Sequence, residues 1–80
     1  MQSGELIVTG NNSIVIPLHR LIYPSEVRVH FKDEISAVPC NPASADVLEF
    51  EVTANSLGAF FLNINWSVSG VREIKWHVAY

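Results

Sequence analysis

Residues 60–80, FFLNINWSVSGVREIKWHVAY, alternate apolar and polar side chains almost without interruption. Phe60, Leu62, Ile64, Trp66 and Val68 share one parity, and Ile74, Trp76, Val78 and Tyr80 repeat it after Ser69-Gly70. Successive side chains of a strand point to opposite faces, so period two lays each row onto one surface. The stretch therefore predicts two antiparallel strands, read as a hairpin, with their large residues on a core. The outward row of the first of them is Phe61, Asn63, Asn65 and Ser67.

The same alternation continues toward the N-terminus. Asp46 to Ala54 sets Leu48, Phe50 and Val52 inward and Glu49, Glu51 and Thr53 outward, and Asn55-Ser56-Leu57-Gly58 turns it into the next strand. Glu26 to Lys32 sets Val27, Val29 and Phe31 inward, leaving a cationic outward row of Arg28, His30 and Lys32. Two more strands are expected near the start, Glu5 to Thr9 and Ser13 to Leu18, with Gly10-Asn11-Asn12 as a tight turn that would make them a hairpin. Pro17 has no amide to donate, so its strand belongs at a sheet edge or ends there. His19 to Ser25 reads as an irregular crossing that buries Leu21, Ile22 and Tyr23.

Residues 33–45 contain Pro39, Cys40, Asn41, Pro42 and Ser44, which break both strand and helix. Such a loop is either a contact element on a rigid scaffold or a crossover between two sheets. Six strands with one-sided alternation predict an all-β fold, a compact antiparallel β-sandwich forming one domain over residues 1–80. An open barrel is the alternative.

Composition narrows the function. Eighty residues bury only about 60–65% of the surface of the unfolded chain. With 49% apolar and 16% charged residues, against about 25% charged in ordinary domains, further burial in an oligomer or larger assembly is expected. A formal charge of −3 with five scattered Lys and Arg argues against nucleic acid as a partner. No apolar run approaches the roughly 20 residues that cross a bilayer, and Met1 to Glu5 lack the basic start of an export signal. The single cysteine, Cys40, has no internal disulfide partner.

Chemistry-bearing patterns are sparse. His19, His30, His77 and Cys40 lack the paired spacing of metal ligands, and Asp33-Glu34 with Asp46 does not form a calcium loop. Nothing arranges a nucleophile, a base and its orienting group. The expectation is a non-enzymatic protein with no cofactor and no metal. Trp66 and Trp76 are sugar-stacking types, but their parity assigns them to the core.

Attention therefore falls on the outward rows. Phe61, Asn63, Asn65 and Ser67 carry no charge, although exposed strands usually do. Such a row suits a face covered by another subunit or a sugar, with Tyr23 as a further exposed aromatic; alternatively the segment Leu21 to Tyr23 folds over it. Glu49 and Glu51 oppose Arg28, His30 and Lys32 in sign, which suits cross-strand pairing.

Four stretches resemble the H-type lectin domain: Leu21 to Val29 (LIYPSEVRV), Val52-Thr53-Ala54, Phe60 to Trp66 (FFLNINW) and Ile74 to Ala79 (IKWHVA). The resemblance implies a six-stranded antiparallel sandwich assembling into trimers or hexamers, with glycans bound between subunits. It assigns no sugar site to definite residues, and the Pro39 to Ser44 loop departs from that family's pattern. In its short, cysteine-poor β character the chain is also similar to small bacteriophage virion proteins, such as capsid cement or decoration proteins and neck or tail components. That similarity implies a structural protein located in a virion, with a cytoplasmic lectin as the alternative. Its partners would be itself and other virion proteins, through Phe61, Asn63, Asn65, Ser67 and Tyr23 and the loop Pro39, Cys40, Asn41 and Pro42.

Overall fold

A computed structural model describes residues 1–32 and 46–80. The strands are β1 Gln2–Val8, β2 Asn11–Pro17, β3 Glu26–Phe31, β4 Val47–Ala54, β5 Phe60–Ser67 and β6 Arg72–Ala79. They form two three-stranded antiparallel sheets, ordered β1-β6-β3 and β2-β5-β4. The fold is thus all-β, with six strands arranged as a sandwich.

The order of the sheets overturns both expected hairpins. β5 and β6 are the central strands of opposite sheets, and β1 pairs with β6 while β2 pairs with β5. Each of these consecutive pairs is an arch that carries the chain from one sheet to the other. Packed sheets lie about 10 Å apart, and the link at residues 68–71 reaches about 13 Å when extended, so it suffices. The shorter link at Thr9-Gly10 needs a sharper bend, supplied by Gly10 at φ 67°. The two arches brace each other, because the Val68 amide donates to the Gly10 carbonyl (2.8 Å) and Trp66 Nε1 donates to the Thr9 carbonyl (3.2 Å).

The hairpin that does form is β4–β5. Its turn is built on Asn55, whose Oδ1 accepts from the Leu57 and Ala59 amides (2.9 and 3.0 Å), with Gly58 at φ 84°. Pro17 terminates β2, an edge strand, as its missing amide requires.

Inward parity fills the space between the sheets. Leu62 and Ile64 of β5 and Ile74 and Val78 of β6 are fully buried, and Trp66, Trp76, Val8, Leu18 and Phe31 complete the core. Burying one such aliphatic side chain contributes about 1.5–3 kcal/mol. Phe50 shares the inward parity of Leu48 and Val52 yet stays 43% exposed. Its strand is an edge of its sheet, so its inward row has a neighbouring strand on one side only.

β1 begins earlier than expected, and the reason is Gln2. Its buried amide donates to the Pro17 carbonyl (3.0 Å) and accepts from the His19 amide (3.0 Å), so it satisfies the backbone where the chain leaves β2. The following segment does not bury its apolar residues: Leu21, Ile22 and Tyr23 are exposed, and Leu18 and Pro24 are buried in their place. Both ends of that segment are fixed by backbone bonds, from Leu18 to Phe60 (2.9 Å) and from Ser25 to Ala79 (2.8 Å). The apolar middle is left facing solvent.

Near the arches, Asp46 accepts hydrogen bonds from Arg72 and from the Ser69 amide (3.0 Å), and the Arg72 guanidinium lies 3.9 Å from the Phe31 ring centroid. The Arg72 hydrogen bond lowers the Asp46 pKa; burial opposes it, and the Ser69 amide adds to the lowering. A depressed folded-state pKa gives stability that is present above the unfolded value of about 3.9 and lost as pH falls through the folded one. Asp46→Asn is therefore expected to lower the urea midpoint at pH 7, and the gap to wild type should shrink in acid. A gap independent of pH would refute this account of the pair.

Gly4 gives a second test. A Cβ there would meet the Trp76 ring at 2.8 Å, and an indole fixed in the core cannot step aside, whereas a Cβ on Gly70 meets nothing within 4 Å. Gly4→Ala is expected to cost about 1–3 kcal/mol in equilibrium unfolding, the usual range for overpacking. Gly70→Ala should stay near wild type, and equal effects at the two positions would contradict the packing described.

Candidate functional site

Each sheet turns one face to the other and one face outward. On the outer face of the β2-β5-β4 sheet, register places Pro17, Phe61 and Thr53 in one row, then Val15, Asn63 and Glu51, then Ser13, Asn65 and Glu49, and lastly Asn11, Ser67 and Val47. The four β5 residues singled out by sequence thus form the central column of a continuous surface. Phe61 and Asn63 are half-buried among their neighbours, and Asn65 and Ser67 are exposed. Asn63 Nδ2 donates to Thr53 Oγ1 (2.8 Å), which fixes the amide and turns its oxygen toward other donors.

Tyr23 is not part of that column. Its ring stands edge-on to Phe60, with centroids 5.7 Å apart, and Phe60 has the parity opposite to Phe61. Tyr23 belongs instead to an apolar tip with Leu21 and Ile22, where it is 65% exposed. Because the tip is itself exposed, it is not a cover folded over the β5 row. Pro39, Cys40, Asn41 and Pro42 lie outside the described residues.

The outer face of the β1-β6-β3 sheet has a different chemistry. An open depression there is lined by Ser3, Glu5, Arg28, His30, Lys75 and His77, with Gly4 and Trp76 also bordering it. Register sets Ser3 beside His77 and His77 beside Arg28, and sets Glu5 beside Lys75 and Lys75 beside His30. Several charges here are paired locally. Arg28 donates through Nε and Nη2 to Glu26 Oε2 (3.1 and 2.9 Å), and Lys32 lies between Glu73 (3.1 Å) and Glu5 (3.4 Å). Glu73 first, and Glu5 with it, hold the Lys32 ammonium above its ordinary pKa. All these groups are well exposed, so each pair contributes little to stability.

The expected pairing of Glu49 and Glu51 with Arg28, His30 and Lys32 does not occur. β3 and β4 lie in different sheets, and outward parity sends their polar rows to opposite sides of the sandwich. Glu49 and Glu51 join the Asn63 and Asn65 face instead. Sequence reasoning missed this placement, although a signal existed: the Asn55 to Gly58 turn makes β4 and β5 sheet neighbours and puts their outward rows on one surface.

Among the described residues, no group of three His, Cys, Asp or Glu side chains is placed to hold a metal ion. The Asp46 carboxylate is engaged by Arg72 and Ser69. Trp66 and Trp76 are each only 9% exposed, within the core, as their parity predicts. Among the described residues no helix is long and apolar enough to cross a membrane. In comparisons with known proteins, no family model, no curated protein and no solved structure matches the chain.

Proposed function

We propose that this chain is a non-enzymatic assembly protein that associates with itself and with neighbouring subunits. The observation that carries the proposal is the uncharged column Phe61, Asn63, Asn65 and Ser67, lying open along the centre of a sheet face. A face meant only for water gains solubility from charge, whereas amides and an aromatic suit a surface another subunit covers. The exposed tip Leu21, Ile22 and Tyr23 is a second contact surface of apolar kind. The setting we propose is a bacteriophage virion, where a small repeating β block would act as a capsid decoration or tail component; this part rests on overall resemblance in size and composition.

Glycan binding is the second reading, and one observation favours it: the depression bearing Ser3, Arg28, His30 and His77 gathers polar groups suited to hydroxyls. It ranks lower because both indoles are in the core: Trp76 borders the depression but is only 9% exposed, which leaves little ring surface for sugar stacking.

Association is read from sedimentation velocity across a protein concentration series. The wild type should rise above the monomer mass, and Phe61→Ala should weaken the association about tenfold or more, as truncation of an interface aromatic does, with far-UV circular dichroism unchanged. A wild type that stays monomeric up to about 1 mM, a concentration at which even weak contacts of roughly 4 kcal/mol populate complexes, removes the proposal.

A further inference from the structure

Each sheet has two edge strands among the described residues, and the four edges are not alike. β1 contains Glu5, β3 contains Glu26 and Arg28, and β4 contains Glu49 and Glu51, whereas β2 contains no charged residue. Charge on an edge strand is the ordinary guard against pairing with another chain, and β2 lacks it over its whole length. Hydrogen bonding shows which groups line that edge. At the two ends of the β2–β5 ladder the Leu18 amide donates to the Phe60 carbonyl (2.9 Å) and the Val68 amide to the Gly10 carbonyl (2.8 Å). Antiparallel pairs alternate between bonded and non-bonded, so the even-numbered residues of β2 turn their backbone groups to β5. Asn11, Ser13, Val15 and Pro17 turn theirs to the free edge. Two further bonds agree: the Pro17 carbonyl accepts from Gln2 Nε2 (3.0 Å), and the Ser13 amide donates to Asn12 Oδ1 on the adjacent residue (2.8 Å). Gln2 thus covers the Pro17 end, and the amides and carbonyls of Ser13 and Val15 line the open stretch.

We propose that two copies of the chain pair through this edge, β2 against β2, antiparallel about a two-fold axis at Ile14, which joins their β2-β5-β4 sheets into one sheet of six strands. The proposal rests on the self-association reading and adds an edge contact to the face already described. A second copy is the occupant that the sequence of β2 fits. A two-fold axis sets a strand against itself, so a charge near its middle faces its own kind; an uncharged strand is what that symmetry requires. An edge meant for a foreign strand gains selectivity from charge instead.

With Ile14 on the axis, Ser13 lies opposite Val15 of the partner subunit, and Val15 opposite Ser13 of the partner subunit. In each of these pairs both amides donate to both carbonyls, so every backbone group of the open stretch is used. Pro17, which has no amide, is not called on, and the local bond from Ser13 to Asn12 is exchanged for a ladder bond. Parity agrees. Ile14 is half-buried on the inward side, where the two copies of it meet, and Val15, 57% exposed, packs beside a serine on the outer face. The edge of one short strand is small beside the roughly 800 Å² per partner of a standard interface, so the pair is weak alone. The uncharged column Phe61 to Ser67 lies one strand from the seam and recurs on its other side. A subunit that covers both columns strengthens the pair.

Cysteine cross-linking reads the register. Ser13→Cys and Val15→Cys are made singly in a Cys40→Ser background. Opposite residues of a bonded pair have Cα atoms about 5.5 Å apart, inside the disulfide range of about 4.4–6.8 Å, whereas two copies of the same position sit diagonally at about 7–8 Å or more. An equimolar mixture should therefore form mixed disulfide dimers about tenfold faster than either variant alone, as read by mass spectrometry during air oxidation. Val15→Lys, at an exposed position, should weaken the association seen by sedimentation velocity about tenfold or more, with far-UV circular dichroism unchanged. The wild-type Val15 amide should also exchange more slowly as protein concentration rises, because only pairing covers it. A mixture that cross-links no faster than the single variants, or a Val15→Lys variant that associates like wild type, overturns the edge pairing and leaves self-association through the Phe61 column standing. A monomeric wild type overturns both. A monomeric wild type whose Val15 amide is protected by an added alternating Thr-Val peptide also overturns the pairing, since the edge then takes a foreign strand.

Discussion

The structure depends on one contact, between the inward rows of β5 and β6. Leu62, Ile64 and Trp66 belong to the central strand of one sheet, and Ile74, Trp76 and Val78 to the central strand of the other. A central strand has its backbone groups paired on both sides, so its side chains are the best shielded in their sheet. Residues 68–71 connect the two centres directly, which makes the densest part of the core local in sequence. Every other strand takes its place by pairing with one of these two.

That arrangement explains what could be read from residues and what could not. Alternation reports which face a side chain occupies, and it places Trp66, Trp76 and Phe31 in the core and Val29 against it, as the structure shows. It does not report which strand lies alongside, because the hydrogen-bonding groups are the same backbone atoms in every residue. An arch and a hairpin place the same parity inward. Ser69-Gly70 and Gly10-Asn11-Asn12 therefore read as hairpin turns, although both links cross between sheets. Only at Asn55 did the turn itself carry the answer, through a side-chain oxygen that caps two amides.

The segment between β2 and β3 is illegible for a related reason. Leu21, Ile22 and Tyr23 are apolar, and composition alone points to burial, yet all three are exposed. Their position is fixed instead by the backbone bonds of Leu18 and Ser25 at the two ends and by the Gln2 side chain, none of which leaves a periodic trace. Gln2 shows the limit well. A glutamine in a first strand looks like an outward residue, and only the unsatisfied groups beside Pro17 and His19 reveal why it is buried.

The same topology governs the outer surface. A chain with 16% charged residues has few charges to distribute, and the sequence places a cationic row on one strand and an anionic row on the next. Had β3 and β4 formed a hairpin, those rows would have lain alongside each other, and cross-strand pairs of about 0.2–1 kcal/mol each would have neutralised them. The sheet order instead puts β3 and β4 in different sheets and sends those rows to opposite sides of the sandwich. On the β3 side, Glu5, Glu26 and Glu73 balance the formal charge of Arg28, Lys32 and Lys75, while the β4 side has only amides, hydroxyls and apolar groups beside its two glutamates. The difference between the two faces, one with balanced mixed charge and one with two unpaired glutamates beside a neutral column, is thus a product of strand order as much as of composition.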